Sequence, residues 1–422
     1  MKKKFILTCL SLGLFTSTTA LANIAEVTSV SVPMGVGQRV TYAVVKYDEK
    51  LDASNINLAD FKVKNRNIEE VYVASSSDIK SKATQGNYVI IKMNPEDADA
   101  WLITKENRQP PQAKYIPVEV TQVNAIVDAQ GKSLAPTTKV ATNQVNLVAD
   151  DFAQLSFTDK DGTTINYNLY VPKNYNPQEQ YPLVMFIHDA GVTSDYIKAT
   201  LYQGNGATAW ATPESQAKHP AFVLAPQFSD KIVTDGYEIP TKNINAIIDL
   251  ITALSSQYNI DPARIYATGQ SGGGMFEYAL NITHPHFLAA SYHVASQWEA
   301  KQVAPMAQNK MFIFISKDDP KAYPTWQQMI PVLEQAGAKI ETAEVNGQDT
   351  TSQFNQAVNS LLAKGGNIHL MYVESNTLPA QVNATTQGPG TAHIGTWAIS
   401  YDIPAIQDWL FSQRNPQPSL KK

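Results

Sequence analysis

The sequence predicts two folded units, an all-β sandwich and then a mostly parallel sheet with helices on both faces. Three observations predict this. The chain has 422 residues, more than an ordinary single core organises. Short alternating or β-branched runs fill the chain up to about residue 150, and continuous apolar runs alternating with longer amphipathic segments follow.

The chain opens on Met1-Lys-Lys-Lys4, a mostly apolar stretch from Phe5 to Leu14 and the small-x-small site Ala20-Leu-Ala22. This is the pattern of a bacterial-type export signal over residues 1–22, so a periplasmic or secreted protein is expected. The apolar stretch is shorter than the roughly 20 residues a spanning helix needs. The one cysteine, Cys9, lies inside this segment. A processed chain would therefore carry no thiol, which excludes disulfides, a thiolate nucleophile and cysteine-held metals. The sequence has 33 basic and 38 acidic residues; without the three signal lysines, 30 face 38, about −8. The charges are scattered, so no basic surface for nucleic acid is expected.

From residue 23 to about 150 the β-forming runs include Glu26-Val-Thr-Ser-Val-Ser-Val32, Val40-Thr-Tyr-Ala-Val-Val-Lys46, Tyr88-Val-Ile-Ile-Lys92 and Ile116-Pro-Val-Glu-Val-Thr121. Their length and spacing suggest an immunoglobulin-like β-sandwich. A second unit is expected over 151–414. It opens with a hairpin, Gln154 to Thr158 and Thr163 to Val171, around the turn Asp159-Lys-Asp-Gly162. Apolar strand candidates follow at Leu183–Ile187, Ala221–Ala225, Arg264–Thr268, Met311–Ile315 and Ile368–Val373. Helices are expected over Asn243–Tyr258, Trp326–Ala336, Ser352–Ala363 and around Ile403–Phe411. Strands buried on both faces with helical crossovers mean a parallel sheet. Residues 415–422, with two prolines and a lysine pair, read as a loose tail.

The stretch Ala267-Thr-Gly-Gln-Ser-Gly-Gly-Gly-Met275 holds the pattern G-x-S-x-G at Gly269 to Gly273. It lies behind one expected strand and ahead of an expected helix at Met275–Leu280. In that setting the serine occupies a sharp turn, its hydroxyl at the carboxyl end of the sheet and over a helix N-terminus. Ser271 is thus the candidate nucleophile, although G-x-S-x-G alone could also be a glycine-rich helix start with a capping serine.

A serine nucleophile needs a base and an orienting acid, each in a loop after a later strand. His284 and His286 suit a C-terminal helix cap, and His293 and His369 fall in strand-like runs. His393 lies in an expected loop before the final helix and is the candidate base. The acid is expected at the end of Met311–Ile315, where Asp319 is favoured by the proline behind it and Asp318 is the rival. The oxyanion donors would be the N–H of Gly272 and that of Ala190 in the loop His188-Asp-Ala-Gly191. Trp210 and Trp298 read equally as pocket or core, and Glu374–Gly390 is expected to border the pocket.

These residues resemble the secreted esterase branch of the α/β-hydrolases, close to polyhydroxybutyrate-depolymerase-like and peptidase-like groups. They resemble in particular the esterases that carry an N-terminal immunoglobulin-like domain. The matching text includes Tyr181-Pro-Leu-Val-Met-Phe-Ile-His188, Gly204-Asn-Gly-Ala-Thr-Ala-Trp210, Pro220 to Gln227, Tyr258 to Ile265, Asp319-Pro320, His393 with Trp397, and Asp408 to Gln413. The resemblance implies an α/β-hydrolase fold and the triad Ser271, Asp319 and His393, with Ala190 and Gly272 as oxyanion donors. One position departs from the family: Asp189 stands where such enzymes usually carry glycine. Either the loop aims Asp189 outward or its charge depresses activity on ordinary esters.

The expected function is an exported serine hydrolase acting on small or polymeric carboxylic esters through an acyl-enzyme, without cofactor or metal. The alternatives are a serine peptidase acting on short peptides, and a surface or carbohydrate-binding protein built on a hydrolase scaffold. His284-Pro-His286 lacks the further ligands of a metal site. The sequons at Asn281 and Asn383 are expected to be silent behind a bacterial-type signal.

Overall fold

The computed structural model describes residues 24–104, 112–379 and 391–420. The signal reading of residues 1–22 and most of the segment expected to border the pocket lie outside them. Two compact units are present. One comprises the chain up to Ser29 with Tyr42–Asp97 and Pro117–Asn143; the other comprises Val30–Thr41, Ala98–Ile116 and Gln144–Lys422.

The β-rich part of the chain, up to Asn146, is immunoglobulin-like. One sheet runs in the order Asn143–Asn146, Ile24–Met34, Gly37–Asp52, Gln85–Met93, Ile68–Ala74, and a second in the order Thr137–Val140, Glu119–Gln122, Phe61–Val63. Alternation along the strands buries Val73, Val89, Ile91 and Val120. The fully buried Gln122 is satisfied there: it accepts the Tyr47 hydroxyl at 3.0 Å and donates to the carbonyls of Asn124, Leu134 and Ala135.

The second unit contains a nine-stranded sheet. In chain order its strands are β1 (Ala153–Thr158), β2 (Thr164–Tyr170), β3 (Tyr181–Ile187), β4 (Phe222–Gln227), β5 (Ile260–Gln270), β6 (Ala290–Val294), β7 (Met311–Ser316), β8 (Ile340–Val345) and β9 (Ile368–Val373). The spatial order is β1-β2-β4-β3-β5-β6-β7-β9-β8. The opening hairpin and the β2–β4 pair are antiparallel, and from β4 onward every pair is parallel.

The period of two explains why the strands read as unbroken apolar runs. Leu183, Met185 and Ile187 of β3, with Met311, Ile313 and Ile315 of β7, face one core layer. Val184 and Phe186, with Phe312 and Phe314, face the other. Helices α1 (Thr241–Gln257), α2 (Gly272–Thr283) and α3 (Ala322–Gln335) cover the first layer with Ile247, Phe276 and Trp326. Helices α4 (Thr351–Ala363), α5 (Thr391–Ser400) and α6 (Pro404–Ser412) cover the second with Val358, Trp397 and Leu410. Each buried large side chain contributes about 1.5–3 kcal/mol.

Two parts of the chain differ from expectation. The segments Val30–Thr41 and Ala98–Ile116 pack in the second unit despite their position in sequence, because Leu102 joins the second core layer and Gly35 lies against the Ala398 backbone. The tail is also tied down as far as Ser419. Asn415 is buried, its N–H donates to the Ala263 carbonyl at 2.9 Å, and its side chain and the Ser419 hydroxyl both donate to the His286 carbonyl. Backbone acceptors left open at those loops outweigh the local effect of the prolines.

Among the described residues, no helix is long and apolar enough to cross a membrane.

Candidate active site

Parallel register brings the ends of several strands to one edge of the sheet. Ile187 at the end of β3 pairs with Gly269 of β5, Gln270 with Val294 of β6, and Ser316 of β7 with Val373 of β9. The loops that leave these ends converge, which is where open parallel sheets place their sites.

Ser271 sits between β5 and α2 at φ 52° and ψ −120°, a conformation that L-residues rarely adopt. Its N–H donates to the Val294 carbonyl at 3.0 Å and its carbonyl accepts from Met275 N–H, so the turn is held from both sides. Glycines make the turn possible. A Cβ on Gly273 would fall on the Ile187 carbonyl oxygen, one on Gly274 on the Ser296 hydroxyl, and one on Gly269 would come within 2.7 Å of the Gly273 carbonyl carbon. Gly272 is looser: its Cβ position lies 3.3 Å from the Ala190 nitrogen.

His393 is the third residue of α5, in a helix where a loop was expected. The apolar side chains of Ile394 and Trp397, three residues apart and packed on the second core layer, favour the helix. His393 Nε2 lies 2.8 Å from Ser271 Oγ, and its Nδ1 lies 2.6 Å from Asp319 Oδ2. Because a carboxylate only accepts, Nδ1 carries the proton and Nε2 is left to accept from the serine. Asp319 is nearly fully buried, and its other oxygen accepts the N–H groups of Lys321 and Ala322 at 3.0 and 2.9 Å. Burial pushes this carboxyl up, but the His393 hydrogen bond and charge together with the two backbone donors outweigh it, holding it below the usual carboxylate range. Asp318 is exposed and accepts from Asn376 N–H instead. The structure thus joins Ser271, His393 and Asp319 and leaves Asp318 outside.

Ala190 and Gly272 are each the first residue of a helical turn, where the N–H has no acceptor within the helix. A Cβ on Gly272 would lie 3.3 Å from the Ala190 nitrogen, so the two turns that carry these donors approach each other beside Ser271.

Asp189 is turned inward, contrary to one expectation. It is 3% exposed; Oδ1 accepts Gly191 N–H at 2.6 Å and Oδ2 accepts from Gln270 at 3.3 Å. Its φ of −68° asks for no glycine. The loop therefore tolerates this side chain as the cap of the turn Ala190–Val192. His188 is structural: Nδ1–H donates to the Asp189 carbonyl at 2.7 Å and Nε2 accepts from Phe228 N–H at 3.0 Å.

The remaining candidates lie elsewhere. His284 caps α2, its N–H donating to the Leu280 carbonyl. His293 and His369 are buried, and Trp210 and Trp298 belong to the core layers. Gln270 and Gln203, which hold the Asp189 loop from behind, escaped sequence reasoning; the place of Gln270 directly before Ser271 was its one signal. Among the described residues no cluster of three His, Cys, Asp or Glu side chains could hold a metal.

Residues 26–135 match the family model of the esterase Ig-like N-terminal domain. The chain's N-terminal domain is of the esterase Ig-like type. Among solved structures, a thermostable esterase superposes with a TM-score of 0.77 at 25% identity, covering 93% of this chain and 100% of that one. A feruloyl esterase module from Clostridium thermocellum, in a mutant complexed with sinapinate, gives 0.38 at 14% identity, over 60% and 87%. The LpqC poly(3-hydroxybutyrate) depolymerase from Bordetella parapertussis gives 0.34 at 16%, over 56% and 90%. No curated protein matches the chain by sequence. The esterase Ig-like domain precedes an α/β-hydrolase fold like that of the thermostable esterase.

Proposed function

We propose that the chain is an exported serine esterase that works through an acyl-enzyme on Ser271. The observation that carries this reading is the relay Ser271 Oγ to His393 Nε2 and His393 Nδ1 to Asp319 Oδ2, at 2.8 and 2.6 Å.

On this reading His393 Nε2 takes the Ser271 hydroxyl proton as Oγ bonds to the ester carbonyl carbon. The carbonyl oxygen becomes an oxyanion and receives hydrogen bonds from the N–H groups of Ala190 and Gly272, with the N-terminus of α2 adding favourable potential. Breakdown cleaves the bond to the alcohol oxygen, which leaves with the proton from His393 Nε2. Water then attacks the acyl-enzyme, giving its proton to His393, and the carboxylic acid departs as Oγ recovers that proton. Asp319 holds the imidazole tautomer and stabilises its protonated form throughout.

The likeness to the thermostable esterase supports the ester over the amide as the bond cleaved. The lysines, apolar stretch and small-x-small site at the N-terminus support export.

The test is incubation with a fluorophosphonate, mapping of the modified residue, and assay of p-nitrophenyl acetate beside a peptide p-nitroanilide. Label on Ser271 with ester turnover is expected, and both lost in Ser271→Ala. Ester turnover retained in Ser271→Ala would overturn the assignment; amide turnover alone would make the protein a peptidase.

A further inference from the structure

A cavity of about 390 Å³ opens in the second unit between the Asp189 loop and α5. Its walls are aromatic and aliphatic: Trp101, Ile103, Tyr202, Ile394 and Trp397 line it, and Asp189 and Gln203 are its polar members. Ile394 and Trp397 follow His393 in α5 and Asp189 precedes Ala190, so the cavity adjoins both the base and an oxyanion donor. Trp101 is firmly set. It packs on Gly37, where a Cβ would come within 2.8 Å of its ring, and the Arg39 guanidinium lies 3.8 Å over the ring.

The polar groups at this cavity are only partly satisfied. Gln203 is committed: its oxygen faces Asp189 N–H and the Gln270 amide at 3.4 Å each, and its nitrogen donates to the Thr200 carbonyl at 3.1 Å. Asp189 has one short bond, from Gly191 N–H, and one long one, from Gln270. A carboxylate has about four acceptor sites, and among the described residues no cation pairs with this one. The Trp397 Nε1–H, on a side chain about nine-tenths buried, has no acceptor among the described residues. A buried donor left unpaired forfeits the hydrogen bond it makes to water in the unfolded chain. The Asp189 carboxylate, an acceptor with unused capacity, therefore stands in the wall of an aromatic space beside His393, and the unpaired Trp397 Nε1–H is buried behind a ring of that wall.

We propose that this cavity is the substrate-selecting subsite, taking an ester half that carries an aromatic ring with a neutral hydroxyl and rejecting one with a negative charge. A ring fills the slot between aromatic walls, and a neutral hydroxyl can donate to the unused acceptor capacity of Asp189. A carboxylate there would meet the Asp189 charge in a low-dielectric wall. This deepens the esterase reading and rests on it.

The experiment is a kcat/KM comparison on the purified protein. The substrates are ethyl phenylpropanoates and phenylethyl acetates, each bearing a para hydroxyl, no substituent or a para carboxylate, with p-nitrophenyl acetate as a small reference. In at least one series the hydroxyl ester should exceed the carboxylate ester by roughly tenfold or more. Asp189→Asn, which keeps an acceptor for Gly191 N–H, should bring that ratio toward one. Trp101→Ala should lower turnover of the ring esters relative to p-nitrophenyl acetate. Equal turnover of hydroxyl and carboxylate esters in both series, or a ratio unmoved by Asp189→Asn, would overturn the subsite; the wild-type ratio decides even if a variant does not fold. Failure to cleave p-nitrophenyl acetate would instead overturn the esterase reading itself.

Discussion

The Nδ1–H of His393 donates to Oδ2 of Asp319 across 2.6 Å, while the carboxylate of the adjacent Asp318 accepts from the Asn376 backbone at the surface. The two aspartates follow the same strand, yet one is 1% exposed and the other open to solvent. The turn that carries Lys321 and Ala322 N–H onto Asp319 decides which of them faces the histidine.

Asp319→Asn should therefore lower kcat on the order of 10⁴-fold, because an amide in this place no longer fixes the Nδ1–H tautomer. Asp318→Asn should stay within a few-fold of wild type. Steady-state kinetics on p-nitrophenyl acetate, with circular dichroism as a check on folding, compares the two; a larger loss at Asp318 would reverse the assignment.

The glycines around Ser271 differ in what they permit. At Gly273 an added Cβ meets the Ile187 backbone, which cannot move without shifting β3. Gly273→Ala should cost about 3 kcal/mol of stability. At Gly272 the contact is 3.3 Å with the Ala190 nitrogen, so Gly272→Ala should keep most of the stability but spread the two donors and reduce kcat. Denaturant melts alongside kinetics separate these effects, and equal stability losses at both positions would contradict the contrast.

Asp189→Gly restores the residue usual in similar esterases, and a carboxylate opposing the oxyanion would make it faster. The geometry argues for the reverse. Asp189 caps the turn that presents Ala190, and its φ is already comfortable for any residue. Removing the cap and adding a glycine should cost about 1 kcal/mol and lower kcat. A clear rise in kcat at unchanged stability would show that the charge, and not the cap, dominates.

Much of this was legible because two periodicities coincide with function. Leu183–Ile187 and Met311–Ile315 are apolar at every position since both sheet faces are covered, and the turn after β5 needs its glycines at fixed offsets. Other parts were hidden for physical reasons. Strand β8 is an edge strand with charged residues at Glu341 and Glu344, so it lacks the apolar run of its neighbours. The packing of Val30–Thr41 and Ala98–Ile116 into the second unit depends on contacts distant in sequence, such as Gly35 with Ala398. His393 was found as a residue but misread as a loop, since the glycines and proline before it say where a helix cannot begin and not where it does.

Behind Ser271, Glu277 of α2 and His293 of β6 are both fully buried and 3.4 Å apart, with Tyr278 stacked on the imidazole at 4.0 Å. Burial raises the Glu277 carboxyl well above its ordinary 4.5 and pushes His293 down from 6.5 to about 3. Both groups are then neutral in the folded protein, and linkage sets the sign on each side. As pH rises above 4.5 the unfolded chain releases the Glu277 proton that the folded chain keeps, so stability falls until the folded group ionises. As pH falls below 6.5 the unfolded chain protonates His293 and the folded chain does not, so stability falls in that direction too, down to about pH 3. The two slopes cancel between 4.5 and 6.5, giving the pair a plateau there. Glu277→Gln mimics the neutral acid at every pH. It should leave stability near pH 4 unchanged, raise it near pH 8 and remove the alkaline slope in urea melts. A variant less stable than wild type near pH 8 would mean that Glu277 is ionised in the fold and that His293 carries the compensating proton.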